Sequence, residues 1–299
     1  MMLSLKSKTK SSRRLGTNRR TVPRALCCSL LLIGCGKETQ KPDPCDQENA
    51  QAEMDTVADA DLVADILYDE LVEIADDETK EKSTVLSANF VDRSGYEIVT
   101  AVTPLGDDCV GMVGRPTSTG DLIPLSVDSI VINSSVIGEF PLELDEFDTY
   151  FTGYTGNFFS DAGGEKIKIT VTSSGEDGTF PSFSGSLSAP PALVNAAAAV
   201  TPDGALKVEW SDGGSTYIEL VLRASEASNE DVENRVRCFY LKDDGCFVVP
   251  FSAMEWLTSN GANKIKVRME RHTLKISKPA DNAIAEIDAM RSIEFNINI

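Results

Sequence analysis

The stretch Leu206-Lys207-Val208-Glu209-Trp210 alternates apolar and charged side chains. Successive side chains of a β-strand point to opposite faces of the sheet, so the three apolar residues share one face and the two charged residues the other. A sheet with one buried and one solvated face has this period of two. The stretch therefore predicts a strand whose tryptophan lies in the core.

The same texture continues on both sides of this strand. From Thr84 onward, short apolar or alternating runs are bounded by Gly, Asp, Asn, Ser and Pro, which is typical of an all-β fold. The predicted strands are Val85–Val91, Glu97–Thr103, Cys109–Val113, Ser129–Asn133, Phe140–Leu144, Tyr150–Gly153, Lys166–Thr172, Ser184–Ser188, Leu206–Trp210, Tyr217–Arg223, Val236–Leu241, Phe247–Pro250, Lys264–Glu270, Thr273–Ile276 and Ser292–Ile297.

The best domain boundary is Ala189-Pro190-Pro191, because paired prolines stiffen a link and cannot donate to a sheet ladder. The fold class predicted from these patterns is mainly β, with two tandem antiparallel β-sandwich domains at 84–190 and 191–299.

One helix is predicted before the first sandwich. Between Asp55 and Asp77, apolar residues recur at three- and four-residue steps without glycine or proline, as in an amphipathic helix that packs on its neighbour. The apolar stripe consists of Val63, Ile66, Leu67, Leu71 and Ile74. Residues 35–83 are acidic, with four lysines and sixteen Asp or Glu after Gly36. The first part of this segment is a tether that repulsion between like charges keeps extended, and the predicted helix follows it.

The N-terminal 34 residues have the order of a secretory signal peptide. Eight basic residues and no acid precede the nine-residue apolar run Ala25–Ile33, which is followed by Gly34 and is too short to span a bilayer. Leu32-Ile33-Gly34-Cys35 resembles the lipobox of bacterial lipoproteins. That resemblance implies cleavage between Gly34 and Cys35 and lipidation (palmitate included) of Cys35, and Gly36 in the next position implies delivery to the outer membrane.

Two further resemblances concern the folded part. Leu206–Trp210, followed by Tyr217-Ile218-Glu219-Leu220, resembles the opening of a fibronectin type III or immunoglobulin-like sandwich. Residues 137–275 resemble uncharacterised, myxobacterial-type lipoproteins, through the Thr179–Ser186 stretch, Ala189-Pro190 and Val249-Pro250. These resemblances imply a fold and a location, and no site residue is carried over.

Four cysteines remain beyond the anchor, and an even number in an exported chain suggests disulfides. A bridge between Cys238 and Cys246 would close a short hairpin through Lys242–Gly245 and leave Cys45 to pair with Cys109. Metal ligation is the less favoured alternative, because no CxxC occurs and His272 is the single histidine.

Charge excludes one class of partner. Without the first 34 residues the chain keeps 28 − 8 = 20 basic residues against 47 acidic ones, a formal charge of −27. Phosphate backbones would repel such a chain, so no nucleic-acid partner is expected.

Catalytic and metal motifs are weak. The sequence has no G-x-S-x-G, Walker or HExxH motif, and we interpret His272 as an exposed or hydrogen-bonded strand histidine. Several acidic turns could offer oxygen ligands to calcium, but none has the spacing of an EF-hand loop, so we favour structural turns over calcium sites. These turns are Gly106–Asp108, Asp161, Glu176–Gly178 and Lys242–Gly245. We expect no enzyme, no metal and no cofactor.

The sequence thus leads to a lipid-anchored, non-catalytic envelope module, structural or recognising a protein or glycan partner, at the periplasmic or surface face of the outer membrane. The alternative is an envelope-polymer hydrolase that uses two of the many carboxylates.

Overall fold

The computed structural model describes residues 60–74, 80–99, 102–114, 117–144, 150–154, 159–224, 234–260 and 262–299. In these ranges the chain forms nineteen strands and one short helix, which confirms the predicted mainly-β class. The elements are β1 (Leu62–Ile74), β2 (Lys80–Asp92), β3 (Glu97–Val99), β4 (Val102–Pro104), β5 (Cys109–Met112), β6 (Thr117–Thr119), β7 (Ile123–Pro124), β8 (Ser129–Ser134), β9 (Gly138–Leu144), β10 (Tyr150–Tyr154), β11 (Lys166–Thr172), β12 (Phe183–Ser188), β13 (Ala197–Val200), β14 (Leu206–Glu209), β15 (Tyr217–Ala224), β16 (Arg235–Leu241), β17 (Cys246–Val249), α1 (Phe251–Ser259), β18 (Lys264–Ala280) and β19 (Ala283–Asn298).

One large sheet runs through both halves of the chain. Its strand order is β12-β11-β8-β9-β10-β2-β1-β19-β18-β15-β16-β5-β4, with β7 added on β2. Neighbouring strands in this order are antiparallel except β1 and β19, which pair in parallel from Leu62 beside Ala283 to Glu73 beside Glu294. Two smaller sheets have the orders β13-β14-β17 and β3-β6.

Two apolar cores lie against the same long strands. The first core combines β1, β2, β8, β11 and the beginning of β19, and its largest buried side chains include Ile66, Leu86 and Ile130. The second combines β14, β15, β16, α1 and the beginning of β18. The alternating residues of β19 serve both cores, since Ala285 and Ile287 pack in the first and Ile293 in the second.

The two layers of the first core approach closely at Gly185 of β12. A Cβ atom at this position would lie 2.3 Å from the Ile287 Cδ1 atom of β19. A larger residue would require the end of the Ile287 side chain to shift, so glycine allows β12 to pack closely over β19.

The predicted two domains are thus connected through shared strands. The described residues belong to one unit, Lys41–Ile299. Strand β5 from the first predicted domain pairs with β16 from the second, and β19 from the second pairs with β1. The Pro190-Pro191 boundary lies between the residues that supply most of each core.

The predicted amphipathic helix is wrong in its described part, because Leu62–Ile74 is the strand β1. Its inward residues Ala64, Ile66 and Tyr68 alternate along the chain, and the same apolar residues also fit a helical stripe. The pairing of β1 with β19, more than two hundred residues later, decides that this segment is a strand and not a helix. Local periodicity does not include that distant pairing and therefore predicts the wrong element.

Other elements differ from the prediction as well, and the predicted strand Glu97–Thr103 is two strands, β3 and β4. The predicted strands Lys264–Glu270 and Thr273–Ile276 are one strand, β18, and β19 begins at Ala283 rather than Ser292. The helix α1 lies where no helix is predicted, and it follows Pro250 with Ala253, Met254 and Leu257 turned into the second core.

The predicted disulfide pairing is also wrong. Cys109 bridges Cys238, directly opposite on the paired strands β5 and β16, with 4.1 Å between their Cα atoms. Hairpin reasoning favoured the short Cys238–Cys246 loop, but β5 returns across the sheet to lie beside β16.

Cys246 is disulfide-bonded as well, and Cys45 lies outside the described residues.

Candidate functional site

Charged side chains separate the two cores on the inner face of the large sheet. Arg271 of β18 and Arg291 of β19 are direct cross-strand neighbours, and Glu70 of β1 lies beside Arg291. We call these three residues and Asp243 the waist cluster. All four are buried, three of them in strand rows that are otherwise apolar and Asp243 in the turn between β16 and β17.

Arg271 is the centre of the waist cluster. Its guanidinium donates to Asp243 Oδ1 at 2.9 Å, to the carbonyls of Pro191 and Ala192 at 3.1 and 3.0 Å, and to the carbonyl of Ser211. The Pro-Pro link between the two predicted domains is therefore fixed to the sheet by hydrogen bonds rather than hinged.

Asp243 and Arg291 complete this framework. The Asp243 carboxylate also accepts from Trp210 Nε1 at 3.0 Å and from the Ser215 amide at 2.9 Å. Arg291 donates to the carbonyl of Ser160 at 2.8 Å and lies 3.4 Å from Glu70 Oε1. The acidic turn around Asp243, weighed above as a calcium ligand, is thus used to hold the fold.

A groove of about 380 Å³ opens beside the waist cluster. Two serines, two threonines, three glycines, two prolines and two alanines line it, with no ionisable side chain among them. The hydroxyl residues are Ser188, Ser215, Thr216 and Thr273. The volume is within the range of ligand pockets, but the lining has none of the aromatic side chains that are common in pockets for small molecules.

The opposite, outer face of the same strands carries a second group of charges, which we call the outer cluster. It surrounds the single histidine of the chain. Its members are Asp69 of β1, Glu219 of β15, Arg237 of β16, Arg268, Glu270 and His272 of β18, and Asp288 of β19.

His272 is held from two sides. Its Nδ1 atom lies 2.6 Å from Asp288 Oδ2, and its ring stacks on Tyr217 with 4.4 Å between the ring centroids. The side chain is 7% exposed, and its Nε2 atom has no hydrogen-bond partner among the described residues. Nε2 forms an ion pair with Glu270 Oε2 at 3.7 Å, a distance that is too long for a hydrogen bond.

The two glutamates are each paired with an arginine. Arg237 donates to both oxygens of Glu219, with 3.0 Å between Nη2 and Oε2. Arg268 Nε lies 2.6 Å from Glu270 Oε1, so the second oxygen of Glu270 is turned to His272. Arg268 also reaches Asp69 Oδ2 at 3.3 Å.

The close packing of these charged side chains shifts their pKa values. Burial raises the pKa of Glu219 and of Asp69 even though arginines and neighbouring hydrogen bonds oppose the shift. Burial also opposes the charge on His272, but the hydrogen bond to Asp288 and the attraction of the Asp288 and Glu270 carboxylates outweigh it and raise its pKa to about 10. The histidine is therefore the cation that balances excess carboxylate.

The residues singled out in the sequence have different fates. Gly34, Cys35 and Cys45 lie outside the described residues. His272 is a strand histidine, as interpreted, but buried inside a charged cluster. Sequence reasoning missed Glu219 and Glu270; the local indication was the Glu-x-His spacing of Glu270 and His272, which places both on one face of a strand.

No family model matches the sequence, and no curated protein matches it. Within the described residues, none of the helices is long and apolar enough to cross a membrane.

Proposed function

We propose that this chain is a lipid-anchored, non-catalytic module of the bacterial cell envelope that binds a protein or glycan partner in the groove beside the waist cluster. The lipid on Cys35 would hold it to the outer membrane, and the acidic tether would keep the folded part away from the lipid surface. The folded part would lie at the periplasmic or the cell-surface face of that membrane.

The observation that carries the proposal is the lining of the groove. Hydroxyl groups and glycine backbone offer uncharged hydrogen-bond donors and acceptors, which suit sugar hydroxyls or a peptide backbone. A hydrolase of envelope polymers would instead need two carboxylates that flank the bound substrate, and no carboxylate lines this groove.

Rigidity supports the same proposal. The groove walls include Pro190, Pro191 and Ser215, and these segments are fixed by hydrogen bonds to Arg271 or Asp243. A preformed wall loses little conformational entropy on binding, which favours recognition by a static surface.

A groove-filling variant tests the proposal. Ser188 lines the groove at the end of β12, and Ser188→Trp would place an indole in it. Ser184 is exposed on the same side of β12 but is not part of the lining, so Ser184→Trp is the matched control. The assay is co-sedimentation of the purified chain with isolated sacculi and envelope polysaccharide, with soluble fragments measured in the supernatant.

We expect the unmodified chain and Ser184→Trp to bind and Ser188→Trp to lose at least about ten-fold in affinity, or 1.4 kcal/mol. Equal binding by both variants would remove the groove from the proposal. Release of soluble fragments by the unmodified chain would replace it by the hydrolase.

A further inference from the structure

Three side chains of the outer cluster present ligand atoms to one point. One carboxylate oxygen each from Glu219 and Glu270 and one ring nitrogen of His272 lie within 4.8 Å of one another. They stand on the adjacent paired strands β15 and β18, where Glu219 is directly opposite Glu270. Ligands on strands are positioned more precisely than ligands on loops.

We propose that Glu219, Glu270 and His272 form a binding site for one Zn²⁺ ion. One nitrogen and two carboxylate oxygens are a ligand set that zinc accepts, and three protein ligands leave a fourth position for water or a partner's group. Calcium and magnesium prefer six or more oxygen ligands or retained waters, so a buried imidazole selects against them.

The histidine is prepared for a metal in two ways. Its Nε2 atom is buried and has no hydrogen-bond partner among the described residues, although buried polar atoms are normally paired. Its Nδ1 atom is held by Asp288 at 2.6 Å, the arrangement in which a carboxylate orients a metal-binding imidazole. Asp288 is therefore a positioning residue.

The separation of the His272 and Glu270 ligand atoms is close to what zinc needs, whereas both Glu219 oxygens accept from Arg237, so one of these hydrogen bonds must give way to the ion. Bonds of about 2.0 to 2.1 Å in a tetrahedron place ligand atoms roughly 3.3 Å apart, and His272 Nε2 and Glu270 Oε2 are already 3.7 Å apart. Arg268 holds Oε1 of Glu270, which leaves Oε2 for the ion. A ligating carboxylate that is itself hydrogen-bonded is the usual outer shell of such sites.

Charge balance points the same way. The outer cluster contains four carboxylates (Asp69, Glu219, Glu270 and Asp288) against two arginines, so 2 − 4 = −2 remains for the other groups. One divalent ion would bring this sum to 0. Zinc would therefore complete the neutralisation that the arginines begin.

The single histidine permits a direct test on the unmodified chain. Chain prepared without a polyhistidine tag and treated with chelator is titrated with Zn²⁺ while the imidazole ¹⁵N resonances are followed by NMR. We expect a new set of ring signals that saturates at one equivalent, with the largest shift on Nε2. Ring signals that stay unchanged after excess Zn²⁺ would overturn the site.

Variants identify the other ligands by calorimetric titration with Zn²⁺. The double variant Glu219→Gln/Glu270→Gln and the single variant His272→Gln should each lose at least ten-fold in affinity, and Asp288→Asn about ten- to a hundred-fold. The matched control is Glu294→Gln, since Glu294 is a buried carboxylate of the neighbouring strand that pairs with Lys266 at 2.6 Å.

The control should bind Zn²⁺ as the unmodified chain does. Unchanged affinity in the double variant would overturn the assignment of the glutamates, and equal loss in the Glu294→Gln control would mean that binding follows folding rather than these ligands. The groove-binding assay is independent of this titration, so either proposal can fail without the other.

Discussion

The inner and outer faces of β18 and β19 carry similar buried charges in different balance. On the inner face the waist cluster pairs two arginines with two carboxylates, and its arginines also donate to backbone carbonyls. On the outer face four carboxylates meet two arginines and one histidine, whose Nε2 atom has no partner among the described residues. Burial is therefore the same in both clusters and does not distinguish a structural ion pair from a candidate ligand site. The two clusters differ in whether carboxylates outnumber arginines and in whether a buried polar atom has no hydrogen-bond partner.

The largest expected effect is on the inner face. Arg271→Met removes the cation from Asp243, at a position where the two side chains are 0% and 1% exposed. Breaking a buried pair on one side costs about 3 to 5 kcal/mol, because the remaining carboxylate is left without its charge partner. Urea denaturation should show this loss in the free energy of unfolding.

An exposed pair provides the control for Arg271. Lys207 lies 2.8 Å from Glu209 on β14 with both side chains more than a third exposed. Lys207→Met should therefore cost less than about 1 kcal/mol. If Arg271→Met costs no more than Lys207→Met, the waist cluster is not what holds the link between the predicted domains.

The next effect concerns the outer face and pH. The folded-state pKa of His272 is raised to about 10 from an ordinary 6.5, so its protonated form stabilises the fold fully below pH 6.5. That contribution is lost as pH rises through 10. The groups that face the ring are Asp288 from β19, Glu219 and Tyr217 from β15, and Glu270 and Arg268 from its own strand.

Urea midpoints at pH 7, 8, 9 and 10, with chelator present, measure this contribution. The midpoint of the unmodified chain should fall more over this range than that of His272→Gln, in which no imidazole titrates. Lysines and tyrosines titrate in both proteins and cancel in the difference. Parallel curves would show that the carboxylates around His272 do not hold its proton.

A smaller effect compares two tyrosines of the first core. The Tyr150 hydroxyl donates to the Val127 carbonyl at 2.7 Å and accepts from the Val127 amide at 3.2 Å. The Tyr68 hydroxyl is buried with no hydrogen-bond partner among the described residues. Tyr150→Phe should therefore lower the unfolding free energy by about 1 to 3 kcal/mol, whereas Tyr68→Phe should leave it unchanged or raise it by about 1 kcal/mol.

Thermal unfolding of the two variants side by side is the measurement. Equal losses in both would mean that the Tyr68 hydroxyl does have a partner in the folded protein. The two tyrosines, like the two charged faces, differ in whether a buried polar atom has a hydrogen-bond partner among the described residues.

Much of the fold could be predicted from local patterns. The alternation in Leu206–Trp210 predicts β14 and the burial of Trp210, and most predicted strands are present within a few residues. The errors arise where distant pairing decides the structure. The apolar residues of β1 also fit a helical stripe, and the pairing with β19 makes this segment a strand. The pairing of β5 with β16 places Cys109 beside Cys238.

The candidate sites were harder to predict for the same reason. A lone histidine gives no metal motif, and Glu219 lies 53 residues before His272, so only the pairing of β15 with β18 brings them together. Asp243 was one of many acids in acidic turns, and its role depends on Arg271 and Trp210, which are distant in sequence.

Membrane fractionation of the Cys35→Ser variant tests the central claim, that this is a lipid-anchored envelope module, most directly. The unmodified chain should sediment with membranes and require detergent for release, and Cys35→Ser should appear in the soluble fraction, because the anchor depends on acyl chains attached to that sulfur. Membrane retention of Cys35→Ser equal to that of the unmodified chain would contradict the account.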